Sequence, residues 1–376
     1  MRKLFLISLV FLALTAGCAG SGLHVAGREE ALEDNKIYDS RTGRELTLDE
    51  LARAVSASRV VFIGEQHNHQ AQHRHQLELL RALHGLDPRL ALGLEVFSRP
   101  DQKLLDSWGQ GELAEREFSR RVTDGILNLE TLDVYFPILY FARREKIPIL
   151  ALNAPRSITG KIAREGLQAL SPEERASIPG ELVMGPDEYR ERVAQAFSGH
   201  AGHVDLDRFF AAQVAWDETM AQTLADYLAS PAGRDRRVVV ICGNEHVFRR
   251  HGLPSRLARR VGVSQVVLLG LVSTESETLG PREADFAWVT APEAPVKRPR
   301  LGVALEKDLT VSSVTAGSEA ERIGLRTGDR LLELDGSELE GAMDLHRIAI
   351  KGGAGAEHYL VVERGGLRLG FKFSFK

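Results

Sequence analysis

The chain has 376 residues and a formal net charge of −4, so it lacks the basic footprint that nucleic-acid-binding proteins carry. Nucleic acid is therefore not an expected partner, and the length predicts two or three domains. Cys242 ends an apolar, strand-like run and is expected to be a buried, inert thiol. The other cysteine, Cys18, has a different predicted use, so no intrachain disulfide is expected.

The first segment of the chain has the pattern of an export signal. Arg2 and Lys3 precede an apolar run from Leu4 to Leu14, which is too short for a comfortable transmembrane helix. The next residues, Leu14-Thr15-Ala16-Gly17-Cys18, resemble the bacterial lipobox. In lipoproteins of that kind the signal is cut before the cysteine, which then carries the lipid. We therefore predict a signal peptide over residues 1–17.

A lipidated Cys18 implies that the chain is anchored to a membrane outside the cytoplasm. Residues 18–37 begin with mostly small and polar side chains and are predicted to include a tether to the first domain. Ala19-Gly20 place no acidic residue beside Cys18. By resemblance to Gram-negative sorting signals, this predicts an outer-membrane lipoprotein that faces the periplasm or the cell surface.

Apolar runs alternate with helical periodicity over residues 38–278. The strand candidates are residues 59–63, 90–96, 147–152, 237–241 and 265–272. Because these runs lack strict polar alternation and are separated by helices, they predict an α/β fold. Its sheet is expected to be mostly parallel, with helices on both faces and a helical insertion over about residues 157–230. Proline-rich residues 279–300 are interpreted as a linker to a smaller unit over residues 301–376.

Polar side chains lie at or immediately after the ends of four of the predicted strands. They are Glu65, His67, Glu95, Arg156 and His246. The carboxyl ends of parallel strands face the ligand crevice of an open α/β sheet, so these side chains are expected to converge. Two carboxylates, two imidazoles and a guanidinium could hold a metal ion, bind an anionic ligand or perform acid–base catalysis.

Two of these clusters share the spacing Gly64-x-x-His67 and Gly243-x-x-His246, in which glycine lets the strand turn sharply. Together with the stretch from Ala211 to Asp217, they resemble the ChaN family of haem-binding lipoproteins within the Tiki superfamily. The resemblance covers roughly residues 45–273 and implies an α/β fold with a role in haem or iron uptake. One departure is Glu245, which places a carboxylate beside His246 and could add a metal ligand or point to solvent.

The resemblance implies haem as cofactor, with a divalent metal ion as the alternative. Cofactor contacts are assigned to His67, His246, Tyr135 and Tyr140, since tyrosine ligation is associated with the family. Superfamily relatives include metal-dependent proteases and ester hydrolases, so enzymatic activity stays open. In that alternative a metal would lie among Glu65, His67 and His246, with Glu65 or Glu95 as base and Arg156 beside them.

A haem site predicts a roomy apolar pocket beside the strand-end cluster, whereas a hydrolase predicts a compact polar one. A third hypothesis, a scaffold without chemistry, predicts that the two Gly-x-x-His motifs do not converge. A homodimer stays open as well.

Histidines are concentrated just after the first motif. If a helix begins near Asn68, His69 and His73 are four residues apart and share a face, whereas His75 falls on another. A pair of that kind could bind a transition metal. The favoured interpretation is a solvated polar helix face.

Residues 301–376 resemble a PDZ domain of the bacterial periplasmic type, β-rich with two helices. Ile323-Gly324-Leu325 and the stretch from Gly328 to Leu332 carry the resemblance. Such a domain adds a peptide strand to an open sheet edge and captures its terminal carboxylate. The resemblance assigns this binding of a peptide or protein C-terminus to Leu301, Gly302, Val303, Leu345 and Ile348.

Overall fold

The computed structural model describes residues 22–26, 28, 30–197, 205–293, 301–306, 308–341, 344–345 and 356–374. The predicted signal peptide, Cys18 and Ile348 lie outside the described residues. No helix in these ranges is long and apolar enough to cross a membrane.

Strands and helices alternate through the first three quarters of the chain. The strands are β1 His24–Val25, β2 Ile37–Asp39, β3 Glu45–Leu46, β4 Val60–Glu65, β5 Leu90–Ser98, β6 Ile149–Asn153, β7 Arg237–Gly243, β8 Gln265–Val272, β9 Thr278–Leu279 and β10 Phe286–Thr290. The helices are α1 Leu48–Val55, α2 Gln70–Leu86, α3 Gln102–Gly109, α4 Glu115–Thr123, α5 Leu129–Arg144, α6 Arg156–Glu165, α7 Pro172–Ala176, α8 Asp187–Phe197, α9 Leu206–Ala229, α10 Asn244–Val247 and α11 Leu253–Arg260. Short 3₁₀ turns cover Arg99–Asp101, Leu167–Ala169 and Phe248–Arg250.

Eight strands form one sheet in the order β3-β2-β10-β8-β4-β7-β5-β6. The six strands from β10 to β6 run parallel, and β2 and β3 add an antiparallel edge. All five strand candidates lie in the parallel part, so the predicted mostly parallel sheet is confirmed. The residues of β4 and β6 are buried throughout, which explains their continuous apolar runs.

Each face of the sheet is covered by its own apolar core. Val61 and Ile63 of β4 pack into a core that includes buried residues of α2 and α5. Val60 and Phe62 point the other way, into a core that includes buried residues of α9 and α11. This alternation follows from the two-residue period of a strand. Helices on both faces, as predicted, therefore enclose the sheet and leave its carboxyl edge to the loops.

In the sheet, β7 lies between β4 and β5, although it follows both of them in the sequence. The connection from β6 to β7 contains α6, α7, α8 and α9, which form the predicted helical insertion. α9 packs against β6, α6 and α11. The insertion therefore lies beside the point where the strand order changes, which is where α/β sheets bind ligands.

The interpretation of residues 279–300 as a linker is wrong for its first half. Phe286–Thr290 forms β10, which is buried and pairs with β8 and β2 inside the main sheet. Pro281 and Pro292 flank this strand without interrupting it. The prolines thus mark the turns around an inner strand, and the α/β fold extends at least to Thr290.

The predicted tether over residues 18–37 is also shorter than expected. Leu23, Val25 and Leu32 are buried in the core that packs against α9 and α11. β1 pairs in parallel with β9, and β2 begins at Ile37. Most residues of this stretch are small or polar. Its three buried apolar side chains follow no helical or strand period, so the sequence pattern did not predict that they are buried.

The C-terminal residues form a small β-rich unit with its own core. Its elements are β11 Val303–Leu305, β12 Val311–Val314, α12 Glu319–Ile323, β13 Arg330–Leu334, β14 Ser337–Glu338, β15 Glu357–Arg364 and β16 Leu367–Ser374. β11 pairs with β12, and β13 to β16 form a sheet in the order β14-β13-β15-β16. Gly324 ends α12 with a φ of 83°, a left-handed conformation that favours glycine.

Replacement of Trp288 by alanine tests the revised boundary. Trp288 is buried in β10 and its ring stacks on His75 with centroids 4.1 Å apart. We expect Trp288→Ala to lower the free energy of unfolding by about 3–5 kcal/mol, the usual cost of truncating a buried tryptophan. Guanidinium unfolding followed by circular dichroism measures this. Tyr140→Ala, at an exposed aromatic residue, is the control; equal small effects of both would place Trp288 outside the sheet.

Candidate functional site

The carboxyl ends of β4, β5 and β7 bring the two Gly-x-x-His motifs together. β4 ends at Glu65, and α10 begins directly after β7 and carries His246. A side-chain carbon at Gly64 would lie 2.2 Å from the Asn244 side-chain oxygen and 3.2 Å from its Cα atom. Glycine at this position therefore lets α10 pack against β4. The two motifs therefore converge, so the observation that would have favoured the scaffold hypothesis is not made.

Glu65 is a buried carboxylate held by four side chains. Its Oε1 atom accepts from His67 Nδ1 at 2.9 Å and from the Tyr135 hydroxyl. Its Oε2 atom accepts from Gln76 and lies 3.5 Å from His73 Nδ1. Burial raises the pKa of Glu65, but the two neighbouring imidazoles outweigh burial, so the pKa is lowered and the carboxylate is ionised.

A second chain of contacts runs from Glu95 through His246 to Asp217. His246 Nε2 lies 3.1 Å from Glu95 Oε1, and His246 Nδ1 lies 2.8 Å from Asp217 Oδ1. All three side chains are buried. Glu95 also accepts from the Gly243 N–H at 2.7 Å, and Tyr189 donates to Asp217 from behind. The imidazole is therefore fixed between two carboxylates.

Burial and the neighbouring charged groups shift the pKa values of His246 and Glu95 in opposite directions. It lowers the pKa of His246, but the charges of Glu95 and Asp217 outweigh it and raise the pKa to about 10. Burial likewise raises the pKa of Glu95, yet the imidazoles and the Gly243 N–H bring it down to about 2. The imidazolium–carboxylate pairs are consequently charged at neutral pH.

His67 joins the two groups and faces the open side of the site. Its Nδ1 atom is held by Glu65, and its Nε2 atom lies 3.7 Å from Glu95 Oε1, beyond hydrogen-bond distance. Burial lowers the pKa of His67, but Glu95 and Glu65 raise it to about 9. Solvent screens part of that attraction, because the side chain is 44% exposed. His67 is thus the accessible imidazole and His246 the enclosed one.

A pocket of about 540 Å³ opens above these side chains, and we call it the strand-end pocket. Its polar lining includes Glu65, His67, Glu95, Gln213 and His246. Its apolar lining is Val193, Phe209, Trp216, Phe248 and Leu271. The helical insertion supplies most of the apolar wall, since Val193 is on α8 and Phe209 and Trp216 are on α9. The site is therefore roomy and largely apolar above a charged base.

Arg192 forms part of the rim of the strand-end pocket. Its guanidinium donates to both Glu245 oxygens at 2.9 and 3.1 Å and to Glu277 at 2.6 Å. It also lies over the Phe248 ring, 3.5 Å from the centroid. Glu245, for which a metal-ligand role or exposure to solvent was expected, is thus engaged in an ion pair with Arg192 at the rim.

Two predicted site residues are not brought to the cluster. Arg156 is exposed and its guanidinium contacts the Val96 carbonyl oxygen at 3.4 Å, so the imidazoles, rather than an arginine, neutralise the carboxylates. Tyr140 is 49% exposed on α5, whereas Tyr135 on the same helix is buried against Glu65. Five residues along a helix turn the side chain by about 140°, which separates these two tyrosines.

The interpretation of the histidine-rich stretch as a solvated helix face is wrong. His69 and His73 are buried. His73 Nε2 lies 2.9 Å from the His67 carbonyl oxygen, and His69 Nε2 lies 3.2 Å from the Ala291 carbonyl oxygen. His75, also on α2, stacks its ring on Trp288 of β10 with centroids 4.1 Å apart. Among the described residues, no three His, Cys, Asp or Glu side chains surround a common metal position.

Sequence reasoning did not assign to the site several residues that build it. They are His73, Gln76, Tyr189, Arg192, Phe209, Gln213, Trp216 and Asp217. Gln213, Trp216 and Asp217 are spaced three and four residues apart on α9 and so share one face. The resemblance of the stretch from Ala211 to Asp217 to the family was the available signal. It identified the segment without saying what each side chain contacts.

The fold and site define an α/β protein with a large pocket at the carboxyl edge of its sheet, and charged side chains form the floor of that pocket. The family described as haem-binding uptake, Tiki superfamily, ChaN matches residues 51–257, more than half of the chain. The chain belongs to this family, as its two motifs predicted.

A solved structure described as cofacial heme binding to ChaN of Campylobacter jejuni has the same fold. It superimposes with a TM-score of 0.54 at 17% sequence identity, and the match covers 68% of this chain and 98% of that one. Among curated proteins, the chloroplastic protein RETICULATA-RELATED 5 of Arabidopsis thaliana is 24% identical over 290 residues. That match covers 70% of this chain but only 39% of the plant protein.

The charged state of His246 can be measured by ¹⁵N NMR on histidine-labelled protein. We expect a doubly protonated imidazole at pH 8, since its pKa is raised to about 10. Asp217→Asn removes one carboxylate and should lower this pKa by about one unit or more, equivalent to about 1.4 kcal/mol. Asp226→Asn, on the same helix but exposed, should leave it unchanged.

The sign of the linked stability follows from the same shift. The folded-state pKa lies above the unfolded value of about 6.5, so the stabilisation is complete below that pH and is lost as the pH rises towards 10. A neutral His246 imidazole at pH 8 in the unmodified protein would contradict the ion-pair assignment.

Proposed function

We propose that this protein binds haem in the strand-end pocket and acts in haem or iron uptake. The observation that carries the proposal is an accessible imidazole, His67, at the base of a pocket of about 540 Å³ with apolar walls. Phe209, Trp216 and Phe248 offer flat or broad apolar surfaces to a planar ligand. A hydrolase was expected to have a compact polar site, whereas the walls of this pocket are apolar and the pocket is roomy.

His67 has the surroundings of a ligand imidazole. Its Nδ1 atom faces the ionised Glu65 carboxylate at 2.9 Å, which fixes the ring and leaves Nε2 towards the pocket. Metal-binding histidines commonly donate their other ring N–H to a carboxylate in this way. Haem would supply an iron that a neutral imidazole nitrogen can bind, and His67 is the residue that would hold it. To bind it, His67 would first release its Nε2 proton to solvent, which the 44% exposed side chain can reach.

The enclosed residues support this arrangement from below. Tyr135 and Gln76 hold Glu65, so neither oxygen of that carboxylate can turn away from His67 freely. Asp217 and Glu95 hold His246, which is 4% exposed and therefore less accessible than His67. Tyr135 is fully buried, so its proposed role is to position Glu65, and tyrosine ligation from this position is not proposed.

One observation favours hydrolysis as the second candidate function. The site contains two carboxylate-oriented imidazoles, the pairs His67–Glu65 and His246–Asp217, and such pairs are suited to general acid–base catalysis. In that case Glu65 or Glu95 would serve as base, and an added divalent metal ion would have to draw Glu65, His67 and His246 together, because no three such side chains surround a common position among the described residues. Ester hydrolysis that depends on added metal and is lost in Glu95→Gln would support it.

We also propose that the chain is a lipoprotein anchored through Cys18 to the outer membrane. The supporting observation is the lipobox-like sequence before Cys18. The domain limits proposed with it are a signal peptide over residues 1–17, a short tether, the α/β domain and the C-terminal unit from residue 301. Radiolabelled palmitate incorporated by the protein but not by Cys18→Ala tests the anchor.

For the C-terminal unit we propose a PDZ domain that binds a peptide or protein C-terminus. β11 pairs with β12 along one edge, and its preceding residue, Gly302, has a φ of 89°. Positive φ values turn successive N–H groups towards a common point, the geometry of an anion-binding loop. Leu301 and Leu345 are both buried in the core of this unit. Val303 begins the strand that a peptide would extend.

The haem proposal is tested by an absorption titration of the purified full-length protein in detergent. We expect a saturable shift of the Soret band. His67→Ala should weaken haem affinity by about tenfold or more, because it removes the proposed ligand, and should change the band position. His84→Ala is the matched control, since His84 lies on α2 against Phe141 and outside the pocket lining.

A titration without saturation would refute haem binding and leave the hydrolase candidate. Saturable binding that is equal in the unmodified protein, His67→Ala and His84→Ala would place the haem elsewhere.

The peptide proposal predicts that the terminal carboxylate matters. A labelled short peptide that ends in a free valine should bind the full-length protein, as measured by fluorescence anisotropy. Amidation of that terminus should weaken binding by about tenfold or more, because the loop N–H groups lose their anion. Gly302→Val should abolish binding, since its side chain would collide with Ser318. Equal affinity for the acid and the amide would contradict this assignment.

A further inference from the structure

A second pocket lies on the far side of α9 from the strand-end pocket. It has a volume of about 530 Å³ and is formed by the 3₁₀ turn after β5, α9, α11 and the loop that follows α7. Its charged lining consists of Arg99, Arg259 and Arg260 with one carboxylate, the exposed Glu181. The two pockets share no lining residue. We call this the arginine pocket.

The spacing of residues on two helices builds the base of the arginine pocket. Arg256, Arg259 and Arg260 are three and four residues apart on α11, so they point to the same side, towards α9. There they meet Glu218, which is fully buried. Arg259 and Arg260 donate to Glu218 at 2.6 Å each, and Arg256 lies 3.3 Å from it. Glu218 thus pairs with Arg259 and Arg260 and lies beside Arg256, which is also 3.8 Å from the buried Asp217.

Arg99 brings a fourth guanidinium to this cluster from the other side of the pocket. It donates to the Thr223 hydroxyl at 2.8 Å and to the Thr219 carbonyl oxygen at 3.2 Å, both uncharged acceptors. Burial lowers the pKa of Arg99, the charge of Asp226 partly opposes this, and Arg260 lowers the pKa further. A partly buried guanidinium with only neutral acceptors is stabilised by any anion that reaches it.

We propose that the arginine pocket binds a phosphate group, either as free phosphate or as a phosphomonoester such as a lipid headgroup. Arg99 and Arg259 would contact its oxygens, because the planar fork of a guanidinium matches pairs of phosphate oxygens. Arg259 is held at one end by Glu218 and is 40% exposed, so its remaining N–H groups face the pocket. Gln222, at the same wall, accepts from Arg260 at 3.1 Å and donates to Asp226 at 2.7 Å. The volume leaves room for a group esterified to the phosphate.

Isothermal titration calorimetry of the full-length protein in detergent, in phosphate-free buffer, tests this proposal. The probes are inorganic phosphate and glycerol 3-phosphate. Saturable binding of either supports the pocket; tighter binding of the first identifies a free anion, and of the second a phosphomonoester. Arg99→Gln and Arg259→Gln should each weaken binding by about tenfold or more.

Arg234→Gln is the matched control, since this side chain is 70% exposed and pairs only loosely with Asp235 at 3.7 Å. It should leave the affinity unchanged. If Arg99→Gln unfolds the protein, the exposed Arg259→Gln still reports on the pocket. The absence of saturable heat with both probes, or unchanged affinity in Arg259→Gln, would overturn the proposal. Haem binding is a separate readout, because no lining residue is shared.

Discussion

The strand-end pocket depends on the burial of three carboxylates, Glu65, Glu95 and Asp217, at the carboxyl edge of a parallel sheet. An ionised carboxylate that is removed from water without a partner is too costly to persist, so each must be neutralised or hydrogen-bonded. Here the partners are imidazoles, and they lie close enough to be held in one orientation. The same constraint that keeps the carboxylates charged therefore also fixes His67 and His246.

This constraint links the sheet to the helical insertion. Glu65 and Glu95 come from β4 and β5, whereas Asp217 comes from α9, which also carries Trp216 and Gln213 on nearly the same face. One helix thus supplies both the support for His246 and part of the apolar wall above it. The pocket can exist only when the insertion is packed against the strand ends, since neither element contains the complete set.

Much of the fold follows from the sequence because its signals are local. Continuous apolar runs such as Val60 to Ile63 mark strands that are buried on both faces, and the structure contains all five predicted strands in parallel. β10 was missed because flanking prolines dominated the pattern, although Phe286-Ala287-Trp288-Val289-Thr290 is itself rich in β-forming residues. β10 pairs with β2, which is distant in sequence, and pairing of this kind produces no local sequence pattern from which it could be predicted.

The site was predictable only where chemistry coincides with a strand end. Glu65, His67, Glu95 and His246 satisfy that condition and do converge. Arg156 satisfies it too, but its long side chain turns to the surface. Asp217 lies in the middle of a 24-residue helix, where an acidic residue usually faces water. Only the packing of that helix shows that Asp217 is buried against His246.

The most direct test of this account is a crystal structure of the haem-loaded protein with anomalous scattering recorded at the iron edge. The account predicts an iron peak in the strand-end pocket within bonding distance of His67 Nε2, with the porphyrin against Phe209, Trp216 or Phe248. An iron peak outside this pocket, or a pocket that stays closed to haem while the Glu65–His67 contact is intact, would contradict it.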